Sequence, residues 1–225
     1  MKRLLAAAIA AALLLSGCTS ASRPAESAPP TGTPSPSPTP IVTPTPEPEP
    51  ADGELVLVRD YIPGIFIDLK YATTDNFTGR VIYDSDEAYL RYGTVKKLLC
   101  AQNELSGRGL SLKIWDAYRP VSAQFKLWEI CPNPVYVSDP NNGYSKHSRA
   151  NTVDITLVTD TGKSIPMPSG FDDFTSLADR DYSDVSAEAA ENARLLENVM
   201  VENGFVPYSG EWWHYSDSVS YDVYE

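Results

Sequence analysis

The chain has 225 residues, with 30 Asp and Glu against 18 Lys and Arg, two histidines and three cysteines, for a formal net charge of −12. A negative net charge argues against a nucleic-acid-binding protein, and nothing in the sequence resembles a basic groove for phosphates. Residues 55–225 are about the right length for one domain with a single hydrophobic core.

The first 18 residues have the pattern of an export signal. Lys2 and Arg3 precede an apolar run over 4–15, which at about a dozen residues is too short to span a bilayer comfortably. The run ends in Leu15-Ser16-Gly17-Cys18, which resembles the cleavage box of bacterial lipoproteins. We therefore expect residues 1–18 to be a lipoprotein signal peptide with Cys18 as the lipidated residue, and an ordinary secretory signal is the alternative.

Residues 19–54 are predicted to be a disordered tether. They hold 11 of the 19 prolines, together with Ser, Thr, Ala and Glu. Such a segment buries too little apolar surface to offset the entropy lost on ordering, and its prolines favour an extended, semi-rigid chain. With the signal, the tether predicts an extracytoplasmic, membrane-anchored lipoprotein of a bacterium whose domain reaches into the cell wall.

Residues 55–225 contain a mixture of strand and helix patterns. The predicted order is a strand at 65–71, a turn at 76–79, a helix at 87–105, a strand at 110–115, a helix at 122–130, a strand at 153–158, a helix at 186–203 and a strand at 212–215. Ser186 and Gly204 suit the two ends of the last helix. Because regular βαβ alternation is absent, the pattern predicts a single α+β domain with a mainly antiparallel central sheet flanked by helices.

Two cysteines remain once Cys18 is assigned to the lipid. A disulfide between Cys100 and Cys131 in an oxidising compartment and two free buried thiols are equally consistent with the sequence. Neither cysteine has a second ligand at a zinc-like spacing, so we do not assign them to a metal.

Each of the two histidines lies near an acidic residue. His147 precedes Asp154 by seven residues, and Glu211 precedes His214 by three. Two imidazoles and a carboxylate are a normal ligand set for catalytic zinc, which keeps a further position for water. We therefore predict one zinc ion bound by His147, Asp154 and His214, with Glu211 as the general base acting on the water.

The spacing of these residues requires irregular backbone. Residues seven apart on a helix are separated by about 10 Å along its axis, and an odd spacing on a strand sends side chains to opposite faces. The chain must therefore bend between His147 and Asp154, and we expect the bend at 149–151 with Asp154 on the strand. The same parity argument predicts an irregularity at Gly210, where the strand that carries His214 begins.

Five separated motifs occur in the order of one known family. They are Asp68-Leu69-Lys70-Tyr71-Ala72-Thr73 with 75–79, Trp115-Asp116-Ala117-Tyr118-Arg119-Pro120, Ser145-x-His147-x6-Asp154, 166–172, and Glu211-Trp212-Trp213-His214. Through them the domain resembles the VanX-type D-alanyl-D-alanine dipeptidases, zinc peptidases related to the D,D-carboxypeptidases and the hedgehog domain. Two residues depart from the family, which usually has Gly at Ala150 and Ala at Thr152. A positive φ at Ala150 would strain the loop.

The resemblance implies roles for individual residues. Glu211 would be general base and acid, and Arg119 would donate to the oxyanion, although an ordinary ion pair with Asp116 is the expectation for Arg119 without the resemblance. Ser145 and Tyr71 would hold the substrate, and Asp172 would meet its free ammonium group.

The implied activity is zinc-dependent hydrolysis of D-Ala-D-Ala or similar small D,D-dipeptides of cell-wall metabolism, with metal-bound water as the nucleophile. The alternatives are a D,D- or L,D-carboxypeptidase that trims peptidoglycan stem peptides and a non-catalytic wall-binding domain. The expected partners are the dipeptide and, through the lipid, a membrane. We expect no nucleic acid and no obligate protein partner.

Overall fold

The computed structural model describes residues 48–224. The predicted signal peptide, the lipidation site Cys18 and residues 19–47 of the predicted tether lie outside the described residues. At the end of the predicted tether, the carbonyl groups of Asp52 and Glu54 accept hydrogen bonds from the backbone N–H groups of Gly93 and Tyr92 at 2.9 and 2.8 Å. Over residues 48–224 the structure has no helix that is long and apolar enough to cross a membrane.

Seven strands, four α-helices and three 3-10 helices make up this part of the chain. The strands are β1 (Leu55–Leu57), β2 (Phe66–Ile67), β3 (Tyr89–Arg91), β4 (Leu110–Asp116), β5 (Thr152–Thr159), β6 (Phe205–Tyr208) and β7 (Glu211–Asp217). The helices are α1 (Val58–Tyr61), α2 (Tyr92–Ser106), α3 (Val121–Ile130) and α4 (Ala187–Glu202). The 3-10 helices are Lys70–Ala72, Lys146–Arg149 and Ser176–Ala178.

The central sheet has five strands in the order β2-β4-β5-β7-β6. Only the β2–β4 pair is parallel, and the other three pairs are antiparallel. Strands β1 and β3 form a separate antiparallel pair. Helices α2 and α4 contact each other and the sheet. The structure therefore confirms the predicted α+β class with a mainly antiparallel central sheet flanked by helices.

The core lies between the sheet and these helices. Leu98 and Leu105 of α2, Leu196 and Met200 of α4 and Ile114 of β4 are fully buried. Burial of such a side chain contributes about 1.5–3 kcal/mol to folding, so this interface provides much of the apolar stabilisation.

Helix α4 has the ends that the sequence predicts. The Ser186 hydroxyl oxygen accepts a hydrogen bond from the backbone N–H of Ala189 at 3.1 Å, and Gly204 follows the helix with a φ of 85°. The side-chain cap satisfies an N–H group that has no partner inside the helix, and glycine adopts the positive φ without steric cost.

Two predicted elements are wrong at their ends. The helix predicted at 87–105 begins only at Tyr92, because Leu90 pairs with Val56 in the β1–β3 ladder. The strand predicted at 65–71 is only Phe66–Ile67, since these are the two residues of this segment that pair with β4. Beyond them the chain turns into the 3-10 helix, and the Tyr71 carbonyl accepts the N–H groups of Ile82 and Tyr83.

Strands β1 and β6 and helix α1 have no counterpart in the sequence prediction. Strand β1 and helix α1 have three and four residues, too few for a periodicity to show. Strand β6 contains Pro207, which argues against a strand because proline cannot donate to a ladder. Proline is tolerated here because β6 is the edge strand of the sheet.

The two remaining cysteines are both free. Cys100 is exposed on α2, and Cys131 is half-buried directly after α3. Of the two alternatives for this pair, the structure therefore shows free thiols, without full burial of either.

Candidate active site

Three neighbouring strands place three polar side chains in one row. Asp116 of β4 is opposite Asp154 of β5, which is opposite His214 of β7. A bulge between Ile114 and Asp116 shifts the register and brings Asp116 level with Asp154. Directly paired residues project to the same face of a sheet. The row therefore puts two carboxylates and an imidazole on one face.

His147 reaches this face from the 3-10 helix Lys146–Arg149. The Ser145 hydroxyl oxygen accepts a hydrogen bond from the His147 N–H at 3.3 Å at the start of this turn. At its end the fully buried Ala150 has φ 59° and ψ 27°, and its N–H donates to the His147 carbonyl. The predicted bend at 149–151 is therefore confirmed, with Asp154 on the strand. It uses the left-handed backbone conformation that costs a non-glycine residue about 1–2 kcal/mol.

The donor atoms of His147, Asp154 and His214 converge on one point. His214 Nδ1 lies 2.9 Å from Asp154 Oδ1, and His147 Nε2 lies 3.3 Å from Asp154 Oδ2. The two imidazole nitrogens are 3.4 Å apart, and one ligand atom from each residue lies within 4.8 Å of the others.

The protonation of His147 suits metal binding. Its Nδ1 lies 2.8 Å from the Ala117 carbonyl oxygen, so Nδ1 carries the proton and donates it. In the neutral ring, Nε2 then keeps a lone pair that faces the other two donors. Two imidazole nitrogens and a carboxylate at these distances fit a divalent zinc ion, which satisfies all three at once.

The electrostatics of the cluster also favour a cation. Burial by itself would raise the pKa of Asp154, but the charges of His147 and His214 and their bonds to it hold its pKa far below the usual range. Burial lowers the pKa of His147, and the nearby Asp154 and Asp116 carboxylates more than reverse this effect. Burial also lowers the pKa of His214. A neutral imidazole and an ionised carboxylate are the forms that bind metal, so metal binding at His147 displaces the proton that the two neighbouring carboxylates favour.

Glu211 lies beside the three donors. Its Oε2 is 3.5 Å from His214 Nδ1. Burial raises its pKa to about 8, and the negative charges of Asp154 and Asp172 contribute. A carboxyl group with such a pKa exchanges protons near neutral pH, as a general base and acid requires.

The predicted irregularity in β7 is confirmed, but it lies after Gly210. Tyr208 pairs with Glu211, whereas Pro207 pairs with Tyr215. Residues 212–214 therefore have no partners on β6. This interruption of the alternation brings Glu211 to the same side as His214, which a regular strand would not do.

All predicted catalytic, metal and substrate residues of the domain line one cavity of about 310 Å³. These residues are Tyr71, Arg119, Ser145, His147, Asp154, Asp172, Glu211 and His214. The volume is near the lower limit of about 300–1,000 Å³ for small-molecule sites. Such a cavity suits a small substrate.

Arg119 is both ion-paired and part of this cavity. Its Nε and Nη2 donate to Asp116 Oδ2 at 3.1 and 2.6 Å, as expected for an ordinary ion pair. The side chain nevertheless lines the cavity, and its guanidinium carbon lies 5.0 Å from the centre of the Tyr71 ring. Burial by itself would lower the pKa of Arg119. The Asp116 carboxylate outweighs this effect, so the pKa of Arg119 lies well above its ordinary value. A fixed cation therefore faces the space next to the metal donors.

Tyr71 and Asp172 form a second polar group in the cavity. The Tyr71 hydroxyl donates to Asp172 Oδ2 at 2.6 Å. Burial raises the pKa of Asp172 to about 7, against the lowering effect of this hydrogen bond. Asp172 has a φ of 51°, a conformation that aspartate tolerates better than most residues. A half-buried carboxyl group with a pKa near neutral suits a cationic ligand.

The sequence prediction missed Gln124. This fully buried residue of α3 accepts a hydrogen bond from Arg119 Nη1 at 2.9 Å and donates to the Ser138 carbonyl at 2.7 Å. Ser138 belongs to the loop that lines the cavity. A signal was present, since Gln124 lies next to Ala123 on the face of α3 that buries Leu127. A buried glutamine on that face needs partners.

Comparison with known proteins gives a consistent result. The model of the Peptidase_M15 family, described as D-ala-D-ala dipeptidase, matches residues 51–222. A D-alanyl-D-alanine dipeptidase of Escherichia coli is 39% identical over 162 residues, which cover 72% of this chain and 83% of the relative. Those of Streptomyces coelicolor and Enterococcus faecium are 36% and 35% identical and cover 73% and 69% of this chain and 91% and 87% of the relatives.

Proposed function

The chain belongs to the D-ala-D-ala dipeptidase family, and on this basis we propose that it hydrolyses D-Ala-D-Ala or a similarly small D,D-dipeptide as a zinc metallopeptidase. One observation carries the proposal: the donor atoms of His147, Asp154 and His214 converge next to the Glu211 carboxylate in one small cavity. The three relatives compared are D-alanyl-D-alanine dipeptidases.

His147, Asp154 and His214 would hold the metal. A zinc ion there would supply the Lewis acidity that lets water ionise near neutral pH. The backbone fixes each ligand before the ion arrives, because Asp154 and His214 are paired across two strands and His147 is held by the Ala117 carbonyl. The site therefore needs little rearrangement to bind metal.

Glu211 moves the proton. Its carboxylate takes a proton from the attacking water as the water oxygen bonds to the carbonyl carbon. The same carboxyl group then gives the proton to the leaving amine nitrogen as the C–N bond breaks, so that two D-Ala molecules result. Its place beside His214, with a pKa raised by burial, supports both roles.

Arg119 stabilises the negative charge that develops on the carbonyl oxygen. Three of its N–H groups are held by Asp116 and Gln124. The guanidinium has two further N–H groups, and because the side chain lines the cavity it can donate to an oxygen there. Because the guanidinium group of Arg119 is buried and held in position before the reaction, its charge stabilises the oxyanion without reorganisation.

Asp172 and Ser145 orient the substrate. Asp172 binds the free ammonium of the dipeptide, with Tyr71 fixing the carboxyl group through their hydrogen bond. Ser145 lies at the cavity wall next to His147 and contributes a hydroxyl group. A longer peptide has an amide in place of this ammonium, so the arrangement favours dipeptides.

The test compares substrates of different length. The zinc-loaded protein is given D-Ala-D-Ala, L-Ala-D-Ala and a stem pentapeptide that ends in D-Ala-D-Ala, and released D-Ala is measured. We expect release from D-Ala-D-Ala and little from the other two. Substantial release from the pentapeptide would favour a carboxypeptidase, and binding of wall fragments without any cleavage would favour a wall-binding domain.

We further propose that the protein is an extracytoplasmic lipoprotein anchored through Cys18. The support is the sequence Leu15-Ser16-Gly17-Cys18 after an apolar run, followed by the proline-rich segment. Expression of the full chain in a bacterium should place it in the membrane fraction, and a Cys18→Ala variant should not be lipidated. Equal membrane association of both proteins would contradict this anchor.

A further inference from the structure

We propose that Lys146 binds the C-terminal carboxylate of the substrate and restricts this site to peptides that end in a free α-carboxylate. The inference rests on the proposed function, because it assigns a substrate group to a residue of the same cavity. It adds a specificity-determining side chain to that site.

The charges around the cavity leave few places for a carboxylate. Asp154, Asp172 and Glu211 line the cavity, so much of its wall is unfavourable for the carboxylate of a substrate. Among its lining residues within 48–224, only Arg119 and Lys146 carry a permanent positive charge. Since the proposed zinc ion acts at the scissile carbonyl, these two side chains are the cations left for the carboxylate end of a zwitterionic dipeptide.

Most donors of Arg119 already have partners. It is 9% exposed, and its guanidinium is bound to Asp116 and Gln124. The proposed mechanism also uses its remaining donors at the scissile carbonyl, which is not the end of the molecule. Arg119 is therefore a poor partner for the terminal carboxylate.

Lys146 has the opposite properties. It is exposed at the cavity, and it makes no ion pair or side-chain hydrogen bond with any other residue of the described range 48–224. Its backbone is fixed, because it lies between Ser145 and His147 in the turn that the Ser145–His147 hydrogen bond begins. A free ammonium on a fixed backbone next to a metal ligand is suited to bind an anionic group of a ligand.

With Lys146 at the carboxylate end, one orientation of the substrate is favoured. The ammonium end is drawn to Asp172 and Glu211, and the carboxylate end is drawn to Lys146. Reversal of the dipeptide would put like charges together at both ends, which is unfavourable. Peptides whose terminal carboxylate is amidated lose the Lys146 contact and should bind poorly.

The experiment measures binding apart from turnover. A zinc-loaded Glu211→Gln variant serves as the background, and calorimetry gives its affinity for D-Ala-D-Ala and for D-Ala-D-alaninamide. Lys146→Ala, Lys146→Arg and, as a control for net charge, Lys163→Ala on an exposed turn are added to this background. The same lysine variants with Glu211 intact are assayed for kcat and KM on both compounds.

We expect Lys146→Ala to weaken binding of D-Ala-D-Ala roughly tenfold, the size typical of one charge-assisted contact. Affinity for the amide should not change, Lys146→Arg should recover most of the loss, and Lys163→Ala should behave as its parent. In the active enzyme the loss should appear in KM more than in kcat.

The inference is overturned if the wild type cleaves D-Ala-D-Ala and Lys146→Ala keeps the full preference for the free acid over the amide. If the wild type neither binds nor cleaves either compound, the proposed function itself fails, and the assignment of Lys146 fails with it.

Discussion

Asp154 and His214 are paired across adjacent antiparallel strands, and Asp154 Oδ1 lies 2.9 Å from His214 Nδ1. Two of the three proposed metal ligands are thus positioned by the hydrogen bonds of the sheet rather than by a loop. Sites built on regular elements hold their geometry more tightly than sites on loops. His147 is the one ligand whose position depends on a bend, and Ala150 forms that bend.

Loss of the shared carboxylate should abolish metal binding. An Asp154→Asn variant keeps the shape but removes the negative charge between the two imidazoles. We expect the zinc content to fall from about one ion per chain to well below one, and the fall in melting temperature that a chelator causes in the wild type to disappear. Asp160→Asn, at an exposed position just after β5, is the control. Full zinc content in Asp154→Asn would refute the ligand assignment.

Ala150→Gly should stabilise the protein. Ala150 has a φ of 59°, and glycine removes a left-handed strain of about 1–2 kcal/mol at a cost of about 0.5–1 kcal/mol of chain entropy. The net gain in the free energy of unfolding should be about 0.5–1 kcal/mol in urea titrations. Ala101→Gly inside α2 should instead lose about 1 kcal/mol. A loss at both positions would show that Ala150 is not strained.

Gln124→Leu should slow catalysis through Arg119. The substitution removes the acceptor of Arg119 Nη1 and the donor to Ser138, so the cation loses its fixed orientation. We expect kcat to fall roughly tenfold or more, with a smaller change in KM. Gln102→Leu removes another buried glutamine, bonded to Ser111 and Leu112, and should lower stability without lowering kcat. Equal kcat losses in both variants would indicate a purely structural role for Gln124.

Asp172 should make stability depend on pH in the metal-free protein. Its folded pKa of about 7 lies above the ordinary value of 3.8 because the group is buried. Between these values the folded state holds a proton that the unfolded state has released, so the stability contributed by this group falls as pH rises. The free energy of unfolding of the wild type minus that of Asp172→Asn should drop by on the order of 2–4 kcal/mol from pH 4 to pH 8. A constant difference across this range would contradict the burial of an ionisable Asp172.

The sequence predicted the elements that have a long, regular pattern. Helix α4 with Ser186 and Gly204 at its ends and strands β4, β5 and β7 were recovered because periodicity and end residues agree there. Leu90 was placed in a helix because its spacing fits one, although its pairing with Val56 makes it a strand residue. Such long-range pairing is not visible in local sequence.

The site was predicted in a similar way. Parity required a bend before Asp154 and an irregularity near Glu211, and both exist. Gln124 was missed because its partners, Arg119 and the Ser138 carbonyl, come together only after α3 and the following loop pack. The position of Gln124 on the buried face of α3 indicates that it needs partners but not which ones.

The most direct test of the account is the rate of D-Ala release from D-Ala-D-Ala by the zinc-loaded wild type and by a zinc-loaded Glu211→Gln variant of equal zinc content. We predict a fall in rate of about 10²–10⁴-fold for the variant, the usual contribution of a general base, with the zinc content unchanged because His147, Asp154 and His214 remain. A variant that keeps zinc and hydrolyses the dipeptide at the wild-type rate would contradict the central claim that this cavity is a zinc peptidase site operated by Glu211.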